Sequence, residues 1–321
     1  MNKLQRTLLA AAMAGLAAAF AAAPTVQAAA PMVKSPAPGY FRIMVGDFEV
    51  TPINDGTVDL PVDQLLHEPA DTTRTILSKH FLKAPLETSD NAYLVNTGSK
   101  LVLIDTGAGA LFGPTLGKFV NNLKAAGYQP EQIDEIYITH MHGDHVGGLV
   151  NNGQRVFPNA VVRAGKGDAD FWLSQANMDK APADKKGSFQ GAMTALNPYV
   201  QAGKFKPIEG DGVLVPGISA IATHGHTPGH TSYVVESHGQ KLVLMGDLIH
   251  VAAVQFDNPT VTIGFDSDDK AAYASRKKVF DDAVKNGTLV AGAHLQFPGM
   301  GHIVAQGKGY RWIPVNYTQM R

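Results

Sequence analysis

The apolar run from Glu135 to Thr139 has strand character and leads straight into His140-Met141-His142-Gly143-Asp144-His145. Three imidazoles and a carboxylate therefore fall within six positions, where a strand gives way to a loop. Imidazole nitrogen and carboxylate oxygen are the donors that zinc and its neighbours prefer. Side chains two apart in extended chain point to the same side, so His140 and His142 can grip one ion together. Asp144 and His145 lie beyond the strand, where a turn can aim them at a second ion. Four ligands from one loop cannot complete two metal sites, so the fold has to bring further donors to this loop.

The rest of the chain offers them. Ala222-Thr223-His224-Gly225-His226-Thr227-Pro228-Gly229-His230-Thr231 holds three histidines in a turn-forming context, Gly246-Asp247 follows after one apolar run, and Ala291-Gly292-Ala293-His294 ends another. A carboxylate has two oxygens and suits bridging, whereas an imidazole does not. Two cations sharing a water lower its pKa far enough for a hydroxide to exist at neutral pH. Such a bridging hydroxide attacks esters, lactones or phosphotriesters, and Asp144 is placed to take up the proton as the intermediate collapses. No Gly-x-Ser-x-Gly elbow occurs, so a serine esterase has no support. The chain has no cysteine, which removes every thiolate nucleophile and ligand.

Composition narrows the rest. With 321 residues, 45% of them hydrophobic, one catalytic domain can be filled. The 27 basic and 28 acidic residues nearly cancel, so no broad positive field is available for nucleic acid or an anionic membrane. Lys3 and Arg6 precede the Ala- and Leu-rich run Leu8 to Ala23 and a small-residue stretch ending Ala28-Ala29. That order reads as a signal peptide over 1–28, cleaved near Ala28, and implies a periplasmic or secreted protein with no stable membrane anchor. Residues 29–39, with Pro31, Pro36 and Pro38, read as an extended leader, and 40–321 as the catalytic domain.

Along that domain, strand-like runs (Phe41 to Val45, Ala92 to Val95, Leu101 to Ile104, Glu135 to Thr139, Ala160 to Arg163, Ser232 to Val235, Leu242 to Met245) alternate with helical stretches (Gly113 to Ala126, Lys166 to Asn177, Asp269 to Lys285). Intermixing of this kind predicts an α/β fold. The segment Gly98 to Asp105 is echoed by Gly239 to Asp247: a turn, a lysine, an apolar strand, then an aspartate. The echo suggests two similar halves, each delivering a carboxylate to one shared edge. Residues 165–210 read as a polar, irregular insertion that could wall a pocket.

The order Thr-His-x-His-x-Asp-His, then Thr-Pro-Gly-His, Gly-Asp and a late histidine resembles the metallo-β-lactamase superfamily. Lys83 to Thr88, Asp105-Thr106-Gly107, Asp170 to Leu173 and Phe297 to His302 resemble its methyl parathion hydrolase branch and that branch's lactonase-like (dihydrocoumarin hydrolase-like) relatives. The resemblance implies an αββα sandwich of two mixed sheets flanked by helices, two divalent ions, most readily Zn2+, and a homodimer. It places His140, His142 and His230 on one metal, Asp144, His145 and His294 on the other, and Asp247 between them. His224 and His226 then become residues of the turn, and His294 is favoured over His302. Asp105 is expected to orient a ligand, and His67, His80 and His238 to lie on the surface.

Where that branch carries arginine, leucine, threonine and leucine, this chain has Leu65, His250, Ile263 and Phe265, and it is one residue shorter near Ser188. Bulk at Ile263 and Phe265 narrows the expected pocket, with Phe112, Trp172 and Phe189 as aromatic walls. A flat aryl lactone or aryl ester fits that shape better than a tetrahedral phosphotriester. The leading expectation is a binuclear lactonase or arylesterase acting on small molecules, with promiscuous organophosphate hydrolysis. Alternatives are a methyl parathion-type hydrolase, a β-lactamase, and a non-catalytic periplasmic zinc-binding protein.

Overall fold

The computed structural model describes residues 30–317, and the proposed signal peptide at 1–28 lies outside them. Residues 30–38 are exposed and form no helix or strand. From there the chain builds two seven-stranded sheets. The first runs β1 (Ile43–Val45), β2 (Phe48–Leu60), β3 (Leu86–Asn96), β4 (Leu101–Ile104), β5 (Glu135–Ile138), β8 (Val161–Gly165), β9 (Phe205–Ile208). A two-stranded hairpin, β6 (Val150–Asn151) with β7 (Gln154–Arg155), intervenes in sequence. The second sheet runs β10 (Gly212–Val215), β11 (Ile218–Ala222), β12 (Thr231–Ser237), β13 (Gln240–Leu244), β14 (Leu289–Ala291), β15 (Met300–Gln306), β16 (Gly309–Pro314).

Strand periodicity explains the layering. In β4, Val102 and Ile104 join the core shared with the second sheet, while Leu103 faces outward into a helix-covered core. In β13, Leu242 and Leu244 enter the shared core and Val243 faces the other way. Successive strand side chains alternate between faces, so strands that are apolar throughout have to be covered on both. Helices α3 (Phe119–Ala125), α5 (Lys166–Trp172) and α7 (Lys186–Gln201) supply Phe119, Leu123, Trp172, Phe189 and Leu196 to the outer core of the first sheet. Helix α9 (Asp269–Asn286) covers the second with Val279 and Phe280. The remaining helices are α1 (Val62–Leu65), α2 (Ala70–Lys79), α4 (Gly143–Val146), α6 (Gln175–Lys180) and α8 (Ala252–Gln255). The result is the αββα sandwich that the sequence led us to expect.

The internal echo has a structural counterpart. β4 and β13 each stand fourth of seven in their sheets. Each is antiparallel to the strand before it and parallel to the strand after it. Asp105 and Asp247 leave the ends of these two strands.

Other expectations need correction. The polar segment 165–210 is largely helical, because Phe189, Ala192, Ala195, Leu196 and Tyr199 give α7 a buried face. The single helix expected over Lys166 to Asn177 is two, α5 and α6, with Ser174 capping the second by accepting from the Asn177 N–H at 3.3 Å. The helix expected from Gly113 begins only at Phe119. The 13-residue strand β2, whose interior holds Pro52, Asn54 and Gly56, was not among the expected strands. There the chain makes a bulge between Asn54 and Gly56.

That bulge aims Asp55 into the protein. Its carboxylate accepts the N–H groups of Ala108 at 3.0 Å, Gly117 at 2.8 Å and Phe119 at 2.7 Å. It thereby shapes the whole 105–119 loop and starts α3 from another strand. Asp55→Ala leaves three donors without their acceptor, and we expect urea denaturation to show a loss of about 2–4 kcal/mol. Unchanged stability would mean that the loop is held by other contacts.

Candidate metal centre and active site

Four loops at one edge of the sandwich carry the chemistry. The first follows β5. Asp105 fixes it, accepting the Thr139 N–H at 2.8 Å and the Thr139 hydroxyl at 2.7 Å. The second, between β11 and β12, is tied to the first by buried Asp168, which accepts the Met141 N–H at 2.8 Å and the Gly229 N–H at 2.6 Å. A Cβ on Gly229 would lie 2.1 Å from the Asp168 nitrogen, so only glycine allows this approach. The third follows β13, where Gly246 at φ 56° turns the chain and presents Asp247. Behind this loop the buried Arg276 guanidinium donates to the carbonyls of Leu248, Pro259 and Val261.

These loops, with His294 from a fourth loop that follows β14, gather His140, His142, His226 and Asp247 into one donor group and Asp144, His145 and His294 into another. Four donors set tetrahedrally about 2.0–2.1 Å from one ion are about 3.3 Å apart. In the first group, the His140 Nε2 to His142 Nδ1 distance is 3.0 Å and His142 Nδ1 to His226 Nε2 is 3.1 Å. Asp247 Oδ2 completes it at 3.4 Å from His226 Nε2 and 3.5 Å from His140 Nε2. In the second group, Asp144 Oδ2 lies 3.8 Å from His145 Nε2 and 3.6 Å from His294 Nε2. Asp247 closes that group too, with Oδ1 at 3.3 Å from His145 and Oδ2 at 3.1 Å from His294. Both sets fit a divalent cation, and Asp247 is common to them. His145 Nε2 and Asp247 Oδ1 are buried without a hydrogen-bond partner, as donors awaiting an ion are.

Groups behind the donors fix their orientation. The Nδ1–H of His145 donates to Asp105 at 2.8 Å, that of His226 to Asp266 at 2.8 Å, that of His294 to the Ser89 carbonyl at 3.0 Å, and that of His140 to Thr139 Oγ1 at 3.1 Å. Ligating imidazoles ordinarily show this arrangement, one nitrogen on the metal and the other donating behind.

His230 does not show it. Its Nε2 accepts the Asp247 N–H at 3.1 Å, and its Nδ1 pairs with Thr223 Oγ1 at 2.9 Å. Both nitrogens are spent inside the protein, so His226 holds the position expected of His230. His230 abuts strand β12, whose ladder fixes it, whereas His226 rides on the free loop and can reach the centre. The chain Asp247 N–H to His230, His230 to Thr223, Thr223 to Ser232 and Ser232 to the Met245 carbonyl grips both sides of the Asp247 turn. Asp266 and Asp168 carry no motif and were invisible in the sequence. His224 and His302 are exposed, apart from the donors.

Electrostatics follow from burial. Desolvation pulls His140 well below its usual value and His142 and His230 down to about 3. It acts on His226 and His294 as well, but hydrogen bonds and charge from Asp247, with Asp266 for one and Asp144 for the other, push both up to about 9. Burial also disfavours the Asp247 carboxylate, yet the surrounding imidazoles, His145 foremost, hold it well below the carboxylate range.

Above the centre opens a cavity of about 650 Å³, floored by His142, Asp144, Asp247 and His294. Phe112, Trp172, Phe189, His250 and Phe265 line it, as expected from the sequence. Trp172 and Phe189 do double duty, since they also belong to the core under α7. Leu65 and Ile263 do not line it. They pack into the small core around α1, α2 and α8, where Ile263 is fully buried and the Leu65 carbonyl accepts the Gly264 N–H at 2.8 Å.

Residues 87–294 match the sequence profile of the metallo-beta-lactamase superfamily, and the chain belongs to that superfamily. It is 26% identical over 274 residues to an N-acyl homoserine lactonase of Bacillus cereus, spanning 79% of this chain and 96% of that protein. Among solved structures, the hydrolase AbOPH of the beta-lactamase superfamily aligns with a TM-score of 0.84 at 40% identity, over 89% of this chain and 100% of that one. AidC, a dizinc quorum-quenching lactonase in complex with a product N-hexanoyl-L-homoserine, aligns with a TM-score of 0.81 at 28% identity, over 88% and 99% of the two chains. The protein is thus a superfamily hydrolase with lactonase homologues. Relatedness to methyl parathion hydrolase in particular rests on the sequence motifs alone.

Two outcomes test the donor assignment. His226→Ala removes a ligand, so elemental analysis should find about one ion fewer per chain. His230→Leu removes only the acceptor behind Asp247, so both ions should remain but bind about 10–100-fold more weakly in chelator competition. A second test uses protons. At pH 7 the metal-free protein keeps His226 and His294 protonated, because both titrate at about 9. Metal has to displace those protons, so affinity should rise with pH until about 9. Titration calorimetry in buffers of different ionisation enthalpy should show proton release, and none would contradict the assignment.

Proposed function

We propose that this protein is a binuclear metal-dependent lactonase, acting on lactones that carry an apolar aryl or acyl arm, with aryl esters as related substrates and phosphotriesters as a minor activity. The observation that carries this reading is the pair of donor groups sharing Asp247 at the floor of an aromatic cavity. Zinc ions bound there would supply Lewis acidity and an ionised water at neutral pH. The lactonase relatives support the ester-type reaction.

The chain's own residues do the rest. Asp247, clamped by its N–H to His230 and by its oxygens among imidazoles, fixes the geometry of both donor groups. Asp144 is about a quarter exposed, far more open than the other donor carboxylate Asp247, and so is the carboxylate placed to pass a proton to the leaving group. Phe112, Phe265 and Trp172 exclude water and give a flat or elongated apolar arm somewhere to lie. Because Leu65 and Ile263 are turned into the core, the preference for flat substrates falls to Phe265 and His250. Residues 1–28 complete the proposal as an export leader, on sequence grounds.

The test is kcat/KM on dihydrocoumarin, N-hexanoyl homoserine lactone, phenyl acetate, methyl parathion and nitrocefin. We expect the lactones to lead methyl parathion by about tenfold or more, nitrocefin to be inert, and Asp247→Ala to reduce turnover to background in a folded protein. A clear lead for methyl parathion or nitrocefin would replace this reading.

A further inference from the structure

His250 is a sixth imidazole at the centre, outside both donor groups described above. It lies three residues beyond Asp247, on the loop that Arg276 holds from behind. Its side chain is only 2% exposed, and neither ring nitrogen has a hydrogen-bond partner. Buried imidazoles ordinarily satisfy at least one nitrogen. Yet His250 Nε2 sits 3.2 Å from Asp247 Oδ2, the oxygen that also faces His140, His226 and His294. Asp247 thus attracts the ring by charge at that distance, with no well-formed hydrogen bond between them. The ring stacks on His294 at 5.0 Å and 20°, and the ligand-type atoms of Asp247, His250 and His294 lie within one ion's reach.

We propose that His250 is an additional metal ligand, binding through Nε2 to the ion held by Asp144, His145, His294 and Asp247. The inference rests on the binuclear reading above and deepens it. It gives that ion five protein donors against four for its neighbour, so the two positions differ in kind. The five-donor position favours ions that accept five or six donors, such as Co2+ or Mn2+, over the four-coordinate habit of zinc. It also places a displaceable nitrogen where the cavity meets the centre, so substrate oxygen and His250 compete for one coordination position.

Two measurements decide it. In crystals of metal-loaded wild-type protein, His250 Nε2 should lie about 2.0–2.3 Å from the ion beside His294. In solution, His250→Phe keeps a ring of similar size between His294 and Phe265. One of its two ions should leave to a chelator about tenfold faster than in wild type, with the other unchanged. Two bound ions with His250 Nε2 more than about 3 Å from both, or identical release rates in the variant, would overturn the proposal and leave the binuclear reading intact. A wild-type protein that takes up no ions overturns both. A variant that fails to fold leaves the crystallographic distance to decide.

Discussion

The structure turns on one electrostatic demand: the Asp247 carboxylate is 2% exposed, deep in a ring of imidazoles, and has to be neutralised there. An isolated buried charge is costly enough that proteins pair it or bind a cation to it. Without metal, protons held on His145, His226 and His294 do the neutralising, while burial keeps His140, His142, His230 and His250 neutral. Divalent cations replace those protons with charges that a side-chain equilibrium cannot remove. The donor edges near 3.3 Å show that the polypeptide is already shaped for that exchange.

The shaping is done by groups that never meet substrate. Asp55, Asp168 and His230 each accept backbone N–H groups, and each thereby fixes the course of a loop whose polar backbone would otherwise be left without partners. Sheets provide the frame, but these acceptors set where the loop atoms lie. The Tyr233 hydroxyl, donating to the Ile138 carbonyl at 2.7 Å, pins β12 of one sheet to the end of β5 in the other, just ahead of His140.

Much of this was legible in the sequence. The His140 to His145 motif marked the centre because its density of donors has no ordinary structural purpose. The echo of Gly98 to Asp105 in Gly239 to Asp247 foretold two strands in equivalent places, and their carboxylates do converge, though one orients a ligand and the other joins the donors. Local pattern failed where a distant partner decided. His226 and His230 are of one type on one turn, and their partners separate them: the Asp247 N–H and Thr223 for His230, Asp266 and His142 for His226. Strand β2 was not among the expected strands: it lacks a continuous apolar run, and Asn54 to Gly56 form a bulge within it. Leu65 and Ile263 were misplaced because sequence gives proximity to a pocket but not the side of the backbone from which a side chain leaves.

Anchoring and lining are separate tasks in this molecule. Phe112 is carried by the loop that Asp55 gathers, and Arg276 grips the 248–261 segment that leads up to Phe265. Each of these two rings is more than a third exposed. Replacing these rings therefore reshapes the chamber while the hydrogen bonds that hold the donor loops stay in place. A lineage built this way can explore new substrates through a few wall positions while its hydrolytic machinery stays fixed.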